Sequence, residues 1–424
     1  MASIAADPGN KPTPLPAPLG KLRVLDLTVA LAGPYCTLLL GGLGAEVIKI
    51  DAPGGSDIAR LNPPYVGPEG LNYEAPRHGE TSLSVFDRHR NKKSITLDLK
   101  SPEGLSLFRE LVRSADVVVE NFSEGTPERL GIGYDDLASI NPHLIYASIS
   151  ALGGSRAHGN IKGMDIVVQA LSGVMEVNGF PDGPPCRVGF PLADLVAPHY
   201  ATIGILSALV YRANGGGGQH IQVNLLDSLV SLLALEHYDL LVADKSRLRT
   251  GNHHERLTPF GVFATRDGYI AIAAPTDGWT RMLFAAMEMP DMASDPRFAT
   301  RGARAMNAAA MNQLIEQWSR QHDTATAVKR LVDGGVPSVP VRSPSEAFAD
   351  PEIIARGAVV PLRNAHLPES IVTAAPGVPI RFSACTVGYD HDAPLLGEDN
   401  EDVYRNVMGL SAEQIADFRK GGII

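Results

Sequence analysis

Asp194 closes the run Arg187-Val188-Gly189-Phe190-Pro191-Leu192-Ala193-Asp194, a lone carboxylate that ends an apolar, strand-like stretch and opens a long helix-like one. A carboxylate so placed can act as a nucleophile while the positive end of a helix dipole steadies its charge. The following run, Ala201 to Arg212, is apolar nearly all round, which predicts a buried helix. Asp is also a favoured N-cap, and a cap needs no chemistry to justify it. The densest positive cluster is Arg88-His89-Arg90-Asn91-Lys92-Lys93-Ser94, which can hold phosphates or form a solvated turn. Glu120-Asn121-Phe122 ends a predicted strand, where open α/β sheets place their ligands and where ordinary strand-to-loop junctions also lie. His253-His254-Glu255 lacks metal-binding spacing, because adjacent histidines seldom converge on one ion. It predicts a polar loop between domains and no metal.

The elements that must position these residues follow from the apolar pattern. Residues 24–27, a Gly-Pro break, a helix over 35–43 and a strand over 46–50 make a βαβ unit. Ser101-Pro102 opens a further helix, and residues 116–120 and 144–149 read as strands. Such alternation predicts a largely parallel sheet covered by helices on both faces. The glycine run 215–218 lacks the Lys-Ser/Thr of a phosphate loop and precedes a strand over 221–223, so it reads as a turn. From Thr258 the pattern changes. A hairpin with an Asp267-Gly268 turn spans 260–273, helices span 279–287, 306–320 and 324–333, and proline-rich connections lead to an extended piece over 377–382 and a helix over 411–419. The expected organisation is a lead-in over 1–18, a large domain beginning at 19–225, a linker helix and loop over 226–257, a small α+β domain over 258–336, and a return to the large domain over 337–424.

The whole chain narrows the function classes. Its 424 residues, 44% apolar and 20% charged, suit a folded protein of two or three domains. A net charge of -10 argues against broad nucleic-acid or anionic-membrane binding. Cys36, Cys186 and Cys385 are odd in number and far apart, which predicts neither disulfide framework nor zinc ribbon and suits a reduced cytoplasm. Residues 5–18 read as a flexible lead-in without export-signal character, and no unbroken apolar run reaches the ~18 residues of a membrane span. Gly-x-Gly-x-x-Gly after the first strand, Gly-x-x-x-x-Gly-Lys-Ser/Thr and Gly-x-Ser-x-Gly are all missing, which counts against a dinucleotide dehydrogenase, a P-loop NTPase and an α/β-hydrolase.

From Leu19 onward the chain resembles the class III coenzyme A transferases, a family that includes formyl-CoA, carnitine and succinyl-CoA:glutarate transferases and α-methylacyl-CoA racemase. The matching runs are Val24-Leu25-Asp26-Leu27 with Ala32-Gly33-Pro34, Leu43 to Ile50, Arg90-Asn91-Lys92-Lys93-Ser94-Ile95, Val119-Glu120-Asn121-Phe122, Ala193-Asp194-Leu195 and Ala393-Pro394-Leu395-Leu396-Gly397-Glu398. The resemblance implies that Asp194 is the catalytic nucleophile and that Ala32, Leu97, Lys100, Asn121, Phe122 and Arg129 line the site for CoA. It implies an α/β fold with a Rossmann-like large domain built from both chain ends, a small α+β domain inserted between, and an interlocked homodimer. It further implies no tightly bound cofactor, a CoA thioester as substrate with succinyl-CoA as donor, and a small carboxylic acid as acceptor.

Two departures from the family pattern bear on specificity. Where the racemase branch carries a His-Asp pair this chain has Met164-Asp165, and Met164 cannot accept a proton, which argues against racemase or epimerase activity. Formyl-CoA transferase carries a glycine-rich loop over its site, whereas residues 249–256 hold one glycine. His253, His254 or Arg256 could there meet an acceptor carboxylate. A third reading is a CoA-binding subunit of a hetero-oligomer that pairs with a paralogous chain, for example on an aryl-succinate. Retention of Asp194 favours the active-subunit role.

Overall fold

Six apolar runs build one sheet: β1 (Arg23–Asp26), β2 (Glu46–Asp51), β3 (Lys92–Thr96), β4 (Val117–Glu120), β5 (Ile145–Ser150) and β6 (Gln219–Asn224). Their order is β3-β2-β1-β4-β5-β6, with every neighbouring pair parallel. Val117, Val118 and Val119 are wholly buried, as a central strand covered on both faces requires. The strand order reverses between β1 and β4. Loops leaving their C-terminal ends diverge there, and the crevice between them is where open α/β sheets bind ligands.

The computed structural model describes residues 15–55, 57–154, 161–236, 249–254, 256–368 and 373–424. They fall into two compact units, one from the described residues of Met1–Ser172, Gly189–Leu235 and Pro351–Ile424, the other from those of Gly173–Val188 and Glu236–Asp350. In the first unit, helix Pro102–Val112 starts as its sequence predicts, with the Ser101 hydroxyl accepting from the Gly104 N–H at 2.9 Å. It turns Leu107, Phe108, Leu111 and Val112 into a core shared with Leu25, Ile48, Val118 and Tyr404. Edge strand β3 would leave N–H groups unpaired. The C-terminal residues supply partners: Ser94 N–H donates to Asp399 at 2.7 Å, Thr96 N–H donates to Asn400 at 2.8 Å, and the Tyr404 hydroxyl donates to the Thr96 carbonyl at 2.7 Å.

Helix Leu192–Ala213 departs from expectation. It buries one face, including Ala193, Ala197, Ala201, Ile205 and Ala208, and packs against helix Ala32–Gly42. Tyr200, Ile203, Val210 and Tyr211 on its other side are exposed. The all-round apolar pattern therefore does not correspond to all-round burial within one chain. By length and composition, this helix alone among the described residues would also suffice to cross a membrane, although no unbroken apolar run marks it as a span. Its buried face is occupied by packing within the first unit.

The second unit pairs Phe260–Ala264 antiparallel with Tyr269–Ala273, and the latter with Ser338–Pro340. The hairpin turns where Asp267-Gly268 predicts, with Thr265 N–H donating to the Gly268 carbonyl at 2.9 Å. The single helix expected over 306–320 is two, Arg301–Met306 and Ala308–Ser319, parted at Asn307. The extended piece expected over 377–382 forms no ladder; Val359–Pro361 pairs with Ala374–Pro376 instead.

Candidate active site

Beyond β1 the chain enters a loop whose every bend has a partner. The Asn121 side chain, just past β4, accepts from Val29 N–H at 2.8 Å and donates to the Val29 carbonyl at 2.9 Å, so one amide ties together the two loops of the crevice. Ala30 follows with φ of +68°, a left-handed conformation that costs an L-residue about 1–2 kcal/mol. Two neighbours hold it there: its N–H donates to Asp57 at 2.7 Å, and its carbonyl accepts from Arg88 Nη1 at 2.7 Å. Gly33 then lets the helix Ala32–Gly42 return close to the strand end, since a Cβ on it would lie 2.3 Å from Thr28 Cβ.

Asp194 sits in the first turn of Leu192–Ala213, but it does not cap that helix. Asp165 does, accepting from Ala193 N–H at 2.8 Å and Asp194 N–H at 3.4 Å while Gln169 donates to its other oxygen at 2.6 Å. The Asp194 carboxylate is left half-buried with no hydrogen bond to any described residue. Burial, reinforced by the nearby charge of Asp165 and opposed by Arg88, pushes its pKa up to about 6. A carboxylate that is neither paired nor fully solvated is a stronger nucleophile than a capped one.

These environments set a pH dependence. A reaction that needs Asp194 ionised should lose rate below pH about 6, approaching tenfold per unit. Asp165→Asn removes the neighbouring charge yet keeps an oxygen for the helix N–H groups, so the acidic limb should move to lower pH. A limb that stays in place in the kcat/KM profile of that variant would mean that Asp165 does not act on Asp194 through charge.

The other sequence-predicted positions divide. Ala32 is buried at the start of its helix, and Phe122 packs half-buried at the edge of the main core. Leu97 lies inside that core, 2% exposed. Lys100 and Arg129 are exposed, beyond the C-terminal ends of β3 and β4, and Arg129 donates to the Thr126 hydroxyl at 2.7 Å. All six therefore follow C-terminal ends of sheet strands. The Arg88 to Lys93 cluster is largely taken up by internal partners. Arg90 binds Asp87 and the Pro376 carbonyl and lies over the Tyr389 ring, Lys92 is wholly buried against Asp26, and Lys93 pairs with Glu46 and Asp402. His253 and His254 border a cavity of about 610 Å³ in the second unit, with Arg249, Asn312 and Glu316. Glu255 lies outside the described residues. Asp57 and Ala30 carried no signal in the sequence that marked them for this site, and Asp165 was marked only as the neighbour of Met164, without its role at the helix start.

A large parallel sheet with a crevice at its reversal point and an unpaired carboxylate at a helix start define a Rossmann-like α/β protein. The chain belongs to CoA-transferase family III, whose family model matches residues 19–400. It is 39% identical over 384 residues, 90% of this chain and 94% of the relative, to succinyl-CoA:mesaconate CoA-transferase of Haloarcula hispanica. To succinate--glutarate CoA-transferase of Agrobacterium fabrum it is 36% identical over 404 residues, covering 93% and 96% of the two chains. Among solved structures, a CAIB/BAIF family protein from Brucella suis superposes with a TM-score of 0.79 at 35% identity, over 92% of this chain and all of that one.

Proposed function

We propose that this CoA-transferase moves CoA from succinyl-CoA to a small carboxylic acid through covalent intermediates on Asp194. An Asp194 oxygen attacks the thioester carbonyl carbon, the C–S bond breaks, and CoA thiolate departs to leave a mixed anhydride. The thiolate then attacks the Asp194 carboxyl carbon, which releases succinate and leaves an aspartyl-CoA thioester. The acceptor carboxylate displaces the thiolate to form a second anhydride. Thiolate attack on the acceptor's carbonyl carbon gives the new acyl-CoA and restores Asp194. The positive end of the helix dipole favours the anionic tetrahedral states, and exclusion of water protects the anhydrides from hydrolysis.

The observation that carries this reading is the unpaired, half-buried Asp194 carboxylate, whose capping duty falls to Asp165. Support for succinyl-CoA comes from the relatives, which are named for succinyl or succinate transfer. CoA would run over the C-terminal ends of β1, β3 and β4, with Lys100 and Arg129 offering exposed cations to its phosphates. The exposed Tyr200, Ile203, Val210 and Tyr211 form the kind of apolar face that a second copy would cover, which supports an interlocked dimer. Three free cysteines support a reduced, cytoplasmic setting. Met164 offers no proton acceptor and Asp165 is engaged at the helix start, which favours transfer over racemisation.

The decisive experiment is trapping. Enzyme incubated with succinyl-CoA and quenched with hydroxylamine or borohydride should yield a modified peptide at Asp194 by mass mapping. An unmodified Asp194 peptide during demonstrable CoA exchange would remove the covalent mechanism.

A further inference from the structure

Arg88 is one of two half-buried arginines of the first unit without an ion pair among the described residues; the other, Arg109, donates to the Gly131 carbonyl at 3.0 Å, beneath the main core and away from the crevice loop. Arg60 pairs with Asp51 at 3.0 Å, and Arg212 pairs with Asp116 at 2.7 Å. Arg88 makes one hydrogen bond, from Nη1 to the Ala30 carbonyl, and has no ion pair within 4.0 Å among the described residues. Its remaining donors are free. The charges of Asp87 and Asp57 act on it without forming an ion pair, and they leave part of the cost of taking the guanidinium out of water, which a bound anion would offset.

Its position is set from two sides. The Ala30 carbonyl that receives Nη1 belongs to the left-handed residue pinned by Asp57, and the Asp57 carboxylate is held by wholly buried His89 at 3.3 Å. Arg88 is thus fixed to a rigid bend of the crevice loop. The helix that follows the crevice loop packs against the helix that carries Asp194, with the Tyr35 and His199 rings 5.5 Å apart, which brings Arg88 towards Asp194 without an ion pair between them among the described residues. A guanidinium in contact with the nucleophile would neutralise it. One set back from it can meet the far end of a short acyl chain whose carbonyl carbon lies at the carboxylate.

We infer that Arg88 is a specificity-determining residue that receives the distal carboxylate of a dicarboxylic acyl group while the proximal carbonyl carbon meets Asp194. The planar fork of its free donors matches a carboxylate with two parallel N–H···O bonds, a geometry that a lysine ammonium does not reproduce. The assignment rests on the Asp194 reading above and extends it from acyl groups in general to those ending in a second carboxylate.

The test loads the enzyme from two donors of equal chain length, succinyl-CoA and butyryl-CoA, and quantifies the hydroxylamine-trapped Asp194 peptide. Wild type should load faster from succinyl-CoA. Arg88→Met should lose about a hundredfold in loading from succinyl-CoA, a loss of the size seen when one partner of a buried charge pair is removed. Its butyryl-CoA loading should fall by about tenfold at most, the share due to the lost Ala30 contact and the lost charge near Asp194, because that donor has no second carboxylate to lose. Arg88→Lys keeps the charge without the fork and should fall between; it decides the matter if the methionine variant does not fold. Equal losses on both donors, or no loss on either, overturn the assignment while leaving the covalent mechanism intact. Failure of wild type to label Asp194 from any acyl-CoA overturns the underlying mechanism and this inference with it.

Discussion

Asp194→Asn should abolish CoA transfer and make the folded protein more stable. Loss of the nucleophile leaves binding and positioning but no route to the anhydride, so turnover should fall by about 10⁴ or more. The stability gain follows from linkage. In the native protein the carboxyl's pKa is pushed up to about 6 from an ordinary value of 3.8, so the folded state holds that proton more tightly than the unfolded chain does. As pH rises from about 4 to 6, the unfolded state releases its proton first and stability declines; above that window the ionised side chain remains a fixed cost. The full shift corresponds to about 3 kcal/mol, and partial contact with solvent reduces this to about 1–2 kcal/mol. Asparagine carries no such charge. Thermal melts at pH 7.5 should therefore place the variant a few degrees above wild type, with the gap closing as pH falls towards 4. Asp194→Ala, run in parallel, excludes activity regained by deamidation. A variant that is inactive but no more stable would show that Asp194 is not strained by its surroundings, and one that keeps turnover would remove it from the chemistry.

What could be read from the residues alone depended on how local the cause was. Runs such as Val117-Val118-Val119 mark strands buried on both faces, and Ser101-Pro102 marks a helix start, because each signal lies within a few residues. The lone carboxylate at Asp194 was visible for the same reason. Its freedom was not, because the residue that relieves it of capping lies far back along the chain at Asp165. Ala30 was also silent: a positive φ on alanine leaves no trace in the sequence, and the contacts from Asp57 and Arg88 that hold the bend come from distant parts of the chain. The outer face of Leu192–Ala213 misled in a different way. An apolar stripe records that a surface prefers to be covered, without recording whether the cover comes from the same chain.

The basic cluster from Arg88 to Lys93 taught the largest lesson, since a dense run of cations looks alike whether it meets solvent, a ligand or the core. Lys92 is a core residue, and Lys92→Met should be among the most destabilising single changes in the first unit. Its ammonium donates to Asp26 at 3.0 Å, the Pro34 carbonyl at 2.9 Å and the Thr37 hydroxyl at 2.8 Å, and both charged side chains are wholly buried. Although burial alone would raise the Asp26 pKa, Lys92 and Lys49, with the hydroxyls of Thr28 and Thr37, hold it below the usual carboxylate range. Removing the ammonium leaves that charge in the core without its closest counterion, a change that typically costs about 3–5 kcal/mol. Against a total stability of about 5–15 kcal/mol this is a large fraction. It should appear as a drop in the urea midpoint of the first unit at unchanged slope. Adding Asp26→Asn to Lys92→Met removes the stranded charge and should recover at least about 1 kcal/mol, so the two changes should be markedly non-additive. The site should feel the loss as well, because Lys92 joins β3 to the helix Ala32–Gly42 that follows the crevice loop. If Lys92→Met costs less than about 1 kcal/mol, or if Asp26→Asn only adds to its cost, the pair does not hold the end of β1 against that helix, and the rigidity of the crevice loop must come from Asn121 and Asp57.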